Sequence, residues 1–253
     1  ENASGKYIAW VDSDDYVDED YLEVASHYLD TYDVLFIDVE RVDTDNNHLS
    51  YELMSNYKCY SKNSIIRSMM TGKIPWGGVR KIVKYDLVVK NNIFYSNLKI
   101  GEEAIYSLKI MMLCKSFSFL DTKPMYKYVE REDSQSKYDI EDPWLGTFNV
   151  IKSYLIECDL YDYYIDTLNA LNATATIIAI DRIATKYSIK EAYIKIKNRI
   201  KLYQKLNNEN HKIDTDNMMI KARVLLPFIS LNIVYPLIFI SRIRKTISRW
   251  FDV

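Results

Sequence analysis

Three acidic side chains near the start of the chain are the residues best suited to carry out chemistry. Asp12, Asp14 and Asp15 directly follow the apolar and aromatic run Tyr7–Val11. A short apolar run that ends in a turn signal predicts a buried strand, and open α/β sheets bind ligands beyond the ends of their strands. Carboxylates this close repel one another unless a cation or hydrogen-bond donors compensate. The run therefore predicts a site for Mg²⁺ or Mn²⁺ carrying phosphates; the alternative is an Asp-rich turn before a helix.

A second acidic pair, Glu102 and Glu103, follows Gly101 at the predicted start of a helix that continues to about Lys115. Negative side chains are favoured at any helix N-terminus because they complement the helix dipole. Position alone therefore favours a structural role for this pair. The expected apolar positions of the helix are Ile105, Leu108, Ile110 and Met112.

The elements that must position these acids change in type along the chain. Strands are predicted at 34–37, 117–120 and 125–129, with helices at 18–32 and up to Met70 between them. From Pro143 onward the pattern indicates helices alone, at 144–158, 160–186, 189–205 and from about 218. We therefore expect an α/β domain over 1–140 and a helical region over 141–253. The pair Gly77–Gly78 predicts a turn, with close approach of backbone to a ligand as the alternative.

Composition indicates a globular protein: hydrophobic residues make up 48% of the 253 residues and charged residues 27%. The three cysteines are widely spaced and form no CxxC motif, which argues against structural zinc and fits a reducing compartment. The three histidines are scattered as well, which argues against a histidine-ligated metal.

The net charge of −2 hides two parts of opposite sign. Residues 1–179 hold 18 Lys or Arg against 29 Asp or Glu, whereas residues 180–253 hold 15 against 6. This asymmetry predicts an acidic catalytic part and a basic tail that meets anionic surfaces. No signal peptide is visible.

Three segments together resemble inverting GT-A glycosyltransferases of family 2, which build bacterial surface polysaccharides. The acidic run reads GKYIAWVDSDDYVDEDYLE, the second acidic pair stands in GEEAIYSLKIMM, and a Tyr-rich stretch reads YKYVEREDSQS. The order matches the family, and the resemblance covers residues 1–136. It implies an α/β fold that is the C-terminal portion of a GT-A (Rossmann-like) domain, followed by the helical region. The few strands predicted here would not bury an α/β core, so we expect the nucleotide-binding strands to precede Glu1.

The resemblance also implies roles for the acids. Asp12 corresponds to the ribose-side acid, Asp14 with Asp12 to the ligands of Mg²⁺ or Mn²⁺, and Asp15 to a supporting acid. The catalytic base of the family is the second acid of the glycine–acid–acid motif, which is Glu103, preceded by Glu102. The family normally has Asp at that position. The longer Glu side chain moves the carboxylate by about one methylene, and catalytic geometry is sensitive to shifts of ~1 Å.

Arg131 corresponds to the contact with the donor diphosphate, because a guanidinium can bind phosphate through two hydrogen bonds. Ser134 and Ser136 could donate hydrogen bonds beside it. The alternative is an exposed loop in which Arg131 pairs with the neighbouring Glu130 and Glu132.

Two stretches of the tail have amphipathic or apolar character. Over 189–205 an apolar stripe faces a surface crowded with Lys and Arg, which fits an anionic membrane surface or, equally well, a helix packed on a bundle. Val224–Ser241 is almost wholly apolar but contains Pro227 and Pro236, so it predicts an interfacial or re-entrant anchor rather than a spanning helix. The apolar stripe consists of Ile189, Tyr193, Ile196, Ile200 and Tyr203.

The sequence thus predicts a metal-dependent transferase that moves a sugar from a nucleotide-diphosphate sugar to a glycan or lipid-linked acceptor, with inversion. We expect a cytoplasmic protein at the inner face of the plasma membrane, without a nucleic-acid partner. One alternative is an inactive relic or membrane-docking module, favoured by Glu103. Another is a DxD phosphatase, which would require a small β-branched residue where Tyr16 stands.

Overall fold

The structure is a computed structural model that describes residues 3–131 and 140–251, without the side chains of 247–251. Contacts within the chain divide it into two compact units. The first comprises the described residues of Glu1–Met69 and Ile74–Tyr138, and the second those of Met70–Lys73 and Asp139–Val253. The first unit is mixed α/β and the second is helical, so the α/β class with a helical C-terminal part is confirmed.

A four-stranded sheet of the first unit has the order β1 (Tyr7–Ala9), β6 (Lys81–Lys84), β3 (Val34–Phe36) and β7 (Phe117–Phe119). β6 runs antiparallel to both of its neighbours, while β3 and β7 are parallel. The predicted strand at 34–37 is therefore a central strand, and its apolar side chains are fully buried. β1 was predicted to be buried, and this was wrong: it is half-buried to exposed, because β6 is its one paired neighbour among the described strands.

A second sheet has the order β2 (Tyr16–Val17), β8 (Tyr126–Val129), β4 (Val39–Val42) and β5 (His48–Glu52). β8 is parallel to β4 and antiparallel to β2. Because β1 and β2 lie in different sheets, the chain must turn sharply between them, and the three aspartates occupy that turn.

The predicted helices of this part are present with shorter bounds. They are α1 (Tyr21–Leu29), α2 (Lys62–Met70) and α4 (Glu102–Leu113), with the short α3 (Tyr85–Lys90) after β6. α2 ends before Gly72, as predicted, and this glycine has the left-handed backbone conformation, with φ 73°, that commonly follows the end of a helix. α4 is buried around more of its circumference than an amphipathic helix, because Ala104, Tyr106 and Met111 are buried in addition to three of the four expected positions. The fourth, Met112, is half-buried.

The second unit consists of α5 (Leu145–Glu157), α6 (Tyr161–Lys186), α7 (Ile189–Leu206), α8 (Ile220–Ser230) and α9 (Val234–Phe251). α6 is its central helix and packs against the other four. Small residues of α6 leave room for the large apolar side chains of its neighbours, and most of its length is buried.

The apolar stripe of α7 packs into this helical core. Ile196, Ile200 and Tyr203 are buried there together with Ala192, while Ile189 is exposed. The packed-helix alternative is therefore the one that the structure shows for this stripe. Ser188 and Glu191 form a capping box at the start of α7.

Asp181 of α6 connects the last two helices to the core. Its carboxylate accepts hydrogen bonds from Lys221 of α8 and from Ser241 and Arg244 of α9. The apolar segment predicted over Val224–Ser241 is divided between these helices, and Asn232, with φ 55°, lies in the break. Over the described part of the chain, no helix is both long enough and apolar enough to cross a membrane.

Candidate active site

The turn between β1 and β2 holds the three aspartates, and each has different surroundings. The backbone amide of Asp15 donates to the carbonyl of Asp12 at 3.1 Å, which closes the turn. The carboxylate of Asp15 is bound on both oxygens: Oδ2 accepts from the Tyr126 hydroxyl at 2.6 Å and Oδ1 from the Val129 amide at 2.9 Å. The same Tyr126 hydroxyl accepts from the Asp12 amide at 3.1 Å. Asp15 is thus anchored to β8.

Asp12 and Asp14 have less support from hydrogen bonds. Partial burial raises the pKa of Asp12, and the negative charges of Asp15, Glu103 and Asp14 raise it further, against a smaller opposing effect of Arg80. Partial burial raises the pKa of Asp15 too, while its hydrogen bonds to Tyr126 and Val129 act in the opposite direction. Two acids with raised pKa values side by side form a region of unsatisfied negative potential, which a cation would stabilise.

Glu103 reaches the same region from the first turn of α4. Gly101 precedes the helix in the left-handed conformation, with φ 78°, which glycine adopts without strain. Oε1 of Glu103 accepts a hydrogen bond of 2.6 Å from the backbone amide of Gly78. Glu102 is the first residue of α4, and its backbone carbonyl accepts from the Ser96 amide at 3.2 Å.

The paired glycines make this contact possible. A Cβ on Gly78 would lie 2.9 Å from Oε1 of Glu103 and 2.8 Å from the Tyr95 hydroxyl oxygen. A Cβ on Gly77 would lie 2.0 Å from Nη1 of Arg80. The ends of these side chains therefore pack directly onto the backbone of both glycines, and the turn expected from the sequence also borders the acids.

An aromatic cluster lines the space between the aspartate turn and Glu103. Trp10 packs edge-to-face on Tyr95, with ring centroids 5.3 Å apart, and Tyr95 stacks on Tyr106 at 4.5 Å. The indole N–H of Trp10 donates to the Tyr106 hydroxyl at 3.3 Å. Burial raises the pKa of the Tyr95 phenol, and the charge of Glu103 raises it further, so this phenol stays a neutral hydrogen-bond donor at physiological pH.

Arg131 follows β8 and approaches the turn from the opposite side. Its Nε lies 3.7 Å from Oδ2 of Asp14, and both side chains are close to half exposed. Beneath this surface, Glu52 binds Arg80 and Arg41. Burial acts to raise the pKa of Glu52, but the two guanidinium groups outweigh it and the pKa is lowered.

The structure therefore brings Asp12, Asp14, Asp15, Glu103 and Arg131 into one region of the first unit. Glu102 lies beside them on α4, where its charge contributes weakly to the raised pKa of Tyr95. Ser134 and Ser136 lie outside the described residues.

The donor set suits a hard divalent ion in one specific way. Among the residues that the structure describes, no three His, Cys, Asp or Glu side chains are arranged to enclose a metal by themselves. Mg²⁺, however, is commonly bound by one or two carboxylates together with substrate phosphates. Asp14 is 42% exposed and Asp12 is adjacent, so these two residues fit an ion shared with a diphosphate, whereas Asp15 already uses both oxygens.

Sequence reasoning missed several residues of this region. Tyr126, Trp10, Tyr95 and Lys81 all contact the acids or the loop that supports them. Tyr126 belongs to the Tyr-rich stretch quoted above, so the stretch was recognised without a role for its first tyrosine.

The part of the chain that holds the aspartate turn matches a known protein family. The model of the glycosyl transferase family 2 matches residues 1–85, which include β1, the aspartate turn and β6. Residues 1–85 belong to glycosyl transferase family 2. The expected family is thereby confirmed.

Two curated relatives of this chain are glycosyltransferases by name. The putative glycosyltransferase EpsH of Bacillus subtilis (strain 168) is 23% identical over 195 residues, which are 70% of this chain and 56% of EpsH. The poly(ribitol-phosphate) beta-N-acetylglucosaminyltransferase TarS of Staphylococcus aureus (strain MW2) is 24% identical over 173 residues, 66% of this chain and 29% of TarS. The chain thus spans 56% of the length of EpsH and 29% of the length of TarS.

Solved structures of S. aureus TarS share the fold of this chain. The crystal structure of TarS 1–349 in complex with UDP-GlcNAc has a TM-score of 0.64 at 18% identity and covers 96% of this chain and 69% of that one. A second crystal structure of TarS 1–349 has a TM-score of 0.62 at 18% identity and covers 97% of this chain and 68% of that one. The expected GT-A fold is confirmed by this likeness.

Proposed function

We propose that this chain forms part of a glycosyltransferase that moves a sugar from a nucleoside-diphosphate sugar to a hydroxyl of a glycan or lipid-linked acceptor in surface-polysaccharide synthesis. The observation that carries the proposal is the convergence of the aspartate turn, Glu103 and Arg131 in one region of the α/β unit. The family 2 match and the names of EpsH and TarS support the same reaction class. The complex of TarS with UDP-GlcNAc supports a nucleotide-sugar donor.

In this proposal Glu103 is the general base. Its Oε2 is the oxygen that the Gly78 amide leaves available, and it accepts the proton of the acceptor hydroxyl while that oxygen attacks the anomeric carbon. The bond between the anomeric carbon and the diphosphate oxygen breaks on the opposite side, so one displacement inverts the anomeric configuration. Glu102 adds a second negative charge to the first turn of α4.

The leaving diphosphate needs positive charge around it. Arg131 binds the oxygens of the diphosphate. Asp14, which lies next to Arg131 in this structure, would bind the same diphosphate through a shared metal ion. Asp14 and Asp12 would hold Mg²⁺ or Mn²⁺, which neutralises the charge of the leaving group. Asp15 keeps the turn attached to β8. Ser134 and Ser136 would add donors beside Arg131.

The test measures transfer and hydrolysis of UDP-GlcNAc and UDP-glucose by the full-length protein that contains this chain, with Mg²⁺, with Mn²⁺ and with EDTA. Asp14→Ala and Glu103→Gln are each expected to reduce turnover by at least about 10²-fold. Asp86→Asn, whose exposed carboxylate pairs with Lys90 on α3, is the matched control and should leave turnover unchanged. Metal-independent turnover would contradict the ion, and no turnover of any nucleotide sugar would favour an inactive relic.

A second part of the proposal concerns peripheral contact with an anionic membrane. On α8 the exposed apolar residues Ile220 and Val224 follow helical spacing, and on α9 Tyr235, Phe239 and Ile243 do the same. Leu231, directly after α8, is exposed as well. From Ile220 to Phe251 the sequence contains six Lys or Arg and no Asp or Glu. Apolar stripes on helices of purely basic charge fit the interface of a membrane with anionic lipids.

Co-sedimentation with vesicles tests this contact. The full-length protein should bind vesicles that contain phosphatidylglycerol and bind phosphatidylcholine vesicles less. Phe239→Ser with Ile243→Ser should abolish binding without affecting the fold, since both side chains are exposed. Leu22→Ser, which changes an equally exposed apolar residue of α1, is the control. Binding that survives the α9 changes would contradict the proposed surface.

A further inference from the structure

Lys81 is a buried lysine that none of the roles above uses. It lies on β6 with 1% of its surface exposed. Its ammonium group donates hydrogen bonds of 2.7 Å to the backbone carbonyls of Trp76 and Gly77. Among the described residues no carboxylate lies within ion-pair distance of it, although Glu103 and Arg80 are the charged groups whose fields reach it. A buried cation without a paired anion is expensive, and such groups commonly serve function.

The two carbonyls that Lys81 binds belong to the loop that contacts Glu103. Gly78 directly follows them, and its amide donates to Oε1 of Glu103 at 2.6 Å. The orientation of the Gly77–Gly78 peptide therefore depends on where the Gly77 carbonyl points. Ser107 of α4 assists, because its hydroxyl donates to the Trp76 carbonyl at 2.5 Å.

A chain of contacts thus runs from the buried end of β6 to the carboxylate. Lys81 fixes the carbonyls of Trp76 and Gly77, these fix the amide of Gly78, and this amide fixes one oxygen of Glu103 while the second remains available. Arg80 also packs onto this loop, since a Cβ at Gly77 would lie 2.0 Å from its Nη1.

We propose that Lys81 is the positioning residue of the Glu103 base: it holds the Trp76–Gly78 backbone so that the Gly78 amide orients the carboxylate. This inference rests on the proposed function, in which Glu103 accepts the acceptor proton. Lys81 does not touch the substrate.

The protonation state of Lys81 gives the inference a pH signature. Burial lowers the pKa of Lys81 to about 7, against an opposing effect of the Glu103 charge. The neutral amine can still donate to both carbonyls, but above this pH the positive charge beside Glu103 is lost. A charged donor makes the stronger hydrogen bonds, so the loop is held less firmly above this pH and kcat is expected to fall through an inflection near it.

The experiment compares the full-length wild-type protein with Lys81→Met, Ser107→Ala and the control Lys84→Met. Lys84 lies on the same strand but is only half-buried, and it pairs with Asp33. We measure kcat, KM for the donor, the thermal midpoint and the pH profile of kcat. Lys81→Met should lower kcat by about 10²-fold, with the donor KM unchanged and the inflection near neutral pH absent. Ser107→Ala should lower kcat by a smaller factor and keep the inflection. Lys84→Met should behave as wild type.

A readout without turnover separates this inference from the proposed function. With ¹⁵N-glycine labelling, the six glycines of this chain give few signals, and the Gly78 amide proton should be strongly downfield because it binds a carboxylate. That signal should move upfield in Lys81→Met and less so in Ser107→Ala. An unmoved signal, or wild-type kcat with an unchanged pH profile in Lys81→Met, would overturn the inference. If the wild type shows no turnover but the signal moves as expected, the proposed function fails and the positioning contact stands.

Should Lys81→Met fail to fold, Ser107→Ala decides the question, because it removes one donor to the same Trp76 carbonyl and retains the buried charge. A folded Ser107→Ala variant with wild-type kcat and an unmoved Gly78 signal would overturn the positioning contact.

Discussion

The backbone amide of Gly78 binds Oε1 of Glu103 at 2.6 Å, although the two residues are 25 positions apart in the sequence. This hydrogen bond joins the loop before β6 to the first turn of α4. It uses one oxygen of a carboxylate whose other oxygen is available for a proton. The geometry of the candidate base is therefore set by backbone as much as by its own side chain.

The first prediction concerns Gly78→Ala. The new methyl group would lie 2.8 Å from the Tyr95 hydroxyl oxygen and 2.9 Å from Oε1 of Glu103. Both atoms are the far ends of flexible side chains, so they can move at small cost in folding stability. The displaced carboxylate should lower kcat by about 10²-fold while the thermal midpoint hardly changes.

Gly5→Ala is the matched control for this change, because its Cβ would meet the Tyr7 carbonyl oxygen at an ordinary 3.5 Å. Measurement of kcat and of the thermal midpoint for both variants checks the prediction. Equal activity of the two variants would show that Glu103 does not need its present position.

The second prediction compares Glu103→Gln with Glu103→Asp. Gln keeps the shape and an acceptor oxygen for the Gly78 amide but cannot take a proton, so kcat should fall by about 10²–10⁴-fold with donor binding unchanged. Asp retracts the carboxylate from Gly78 and should retain part of the activity. Calorimetric titration with the donor and steady-state kinetics separate the two effects, and Glu19→Gln, at an exposed site, is the control. Loss of donor binding in Glu103→Gln would place Glu103 in donor recognition instead.

The third prediction is that Asp12→Asn stabilises the protein at neutral pH. The pKa of Asp12 is raised in the folded protein by burial and by the charges of Asp15, Glu103 and Asp14. A carboxyl whose pKa is raised on folding binds its proton more tightly in the folded state. The wild-type free energy of unfolding therefore falls as pH rises through the interval between the ordinary Asp pKa and the raised value.

Thermal unfolding of wild type and Asp12→Asn at several pH values tests this. The variant should have the higher midpoint at pH 7, and the difference should disappear below the ordinary Asp pKa. Divalent cation should raise the midpoint of the wild type more than that of the variant. A lower midpoint of Asp12→Asn at pH 7 would show that the Asp12 charge is compensated within the chain.

The fourth prediction concerns the helical unit, where Arg199 of α7 is buried. Its Nε lies 2.5 Å from Oδ2 of Asp142, and its side chain is 5% exposed. Removal of one partner of a buried ion pair leaves the other charge without compensation, so Asp142→Asn should lower the free energy of unfolding by about 3 kcal/mol. Urea denaturation checks this against Lys201→Met at an exposed site of the same helix. The double variant Asp142→Leu with Arg199→Met should recover most of the loss; if it does not, packing rather than charge explains the effect.

The sequence predicted the elements that local pattern determines. Gly101 with Glu102 and Glu103 marked the start of α4, and the apolar run before Asp12 marked β1. The contacts that complete the site could not be predicted this way. Tyr126 binds Asp15 across 111 residues, and Lys81 reaches backbone that is held by a third segment. Such contacts depend on the order of the strands in the sheet, and the local pattern of a single segment does not determine that order.

The burial of individual elements was the other property that the pattern of apolar residues could not predict. β1 has the composition of a central strand, yet its burial depends on its neighbours in the sheet, and β6 is its one partner among the described strands. The apolar stripe of α7 likewise fitted a membrane surface and a packed helix equally well, and in the structure it packs against α6.

The bonds of Asp15 to Tyr126 and Val129 have a consequence for protein engineering. These hydrogen bonds hold the aspartate turn and β8, the strand that leads to Arg131, in a fixed arrangement, although the two segments are far apart in sequence. An exchange of the turn alone with that of a relative would leave β8 without its anchor and move Arg131. A functional chimera would need to inherit both segments from the same parent, and a selection for altered metal preference would be expected to return paired changes in the turn and in β8.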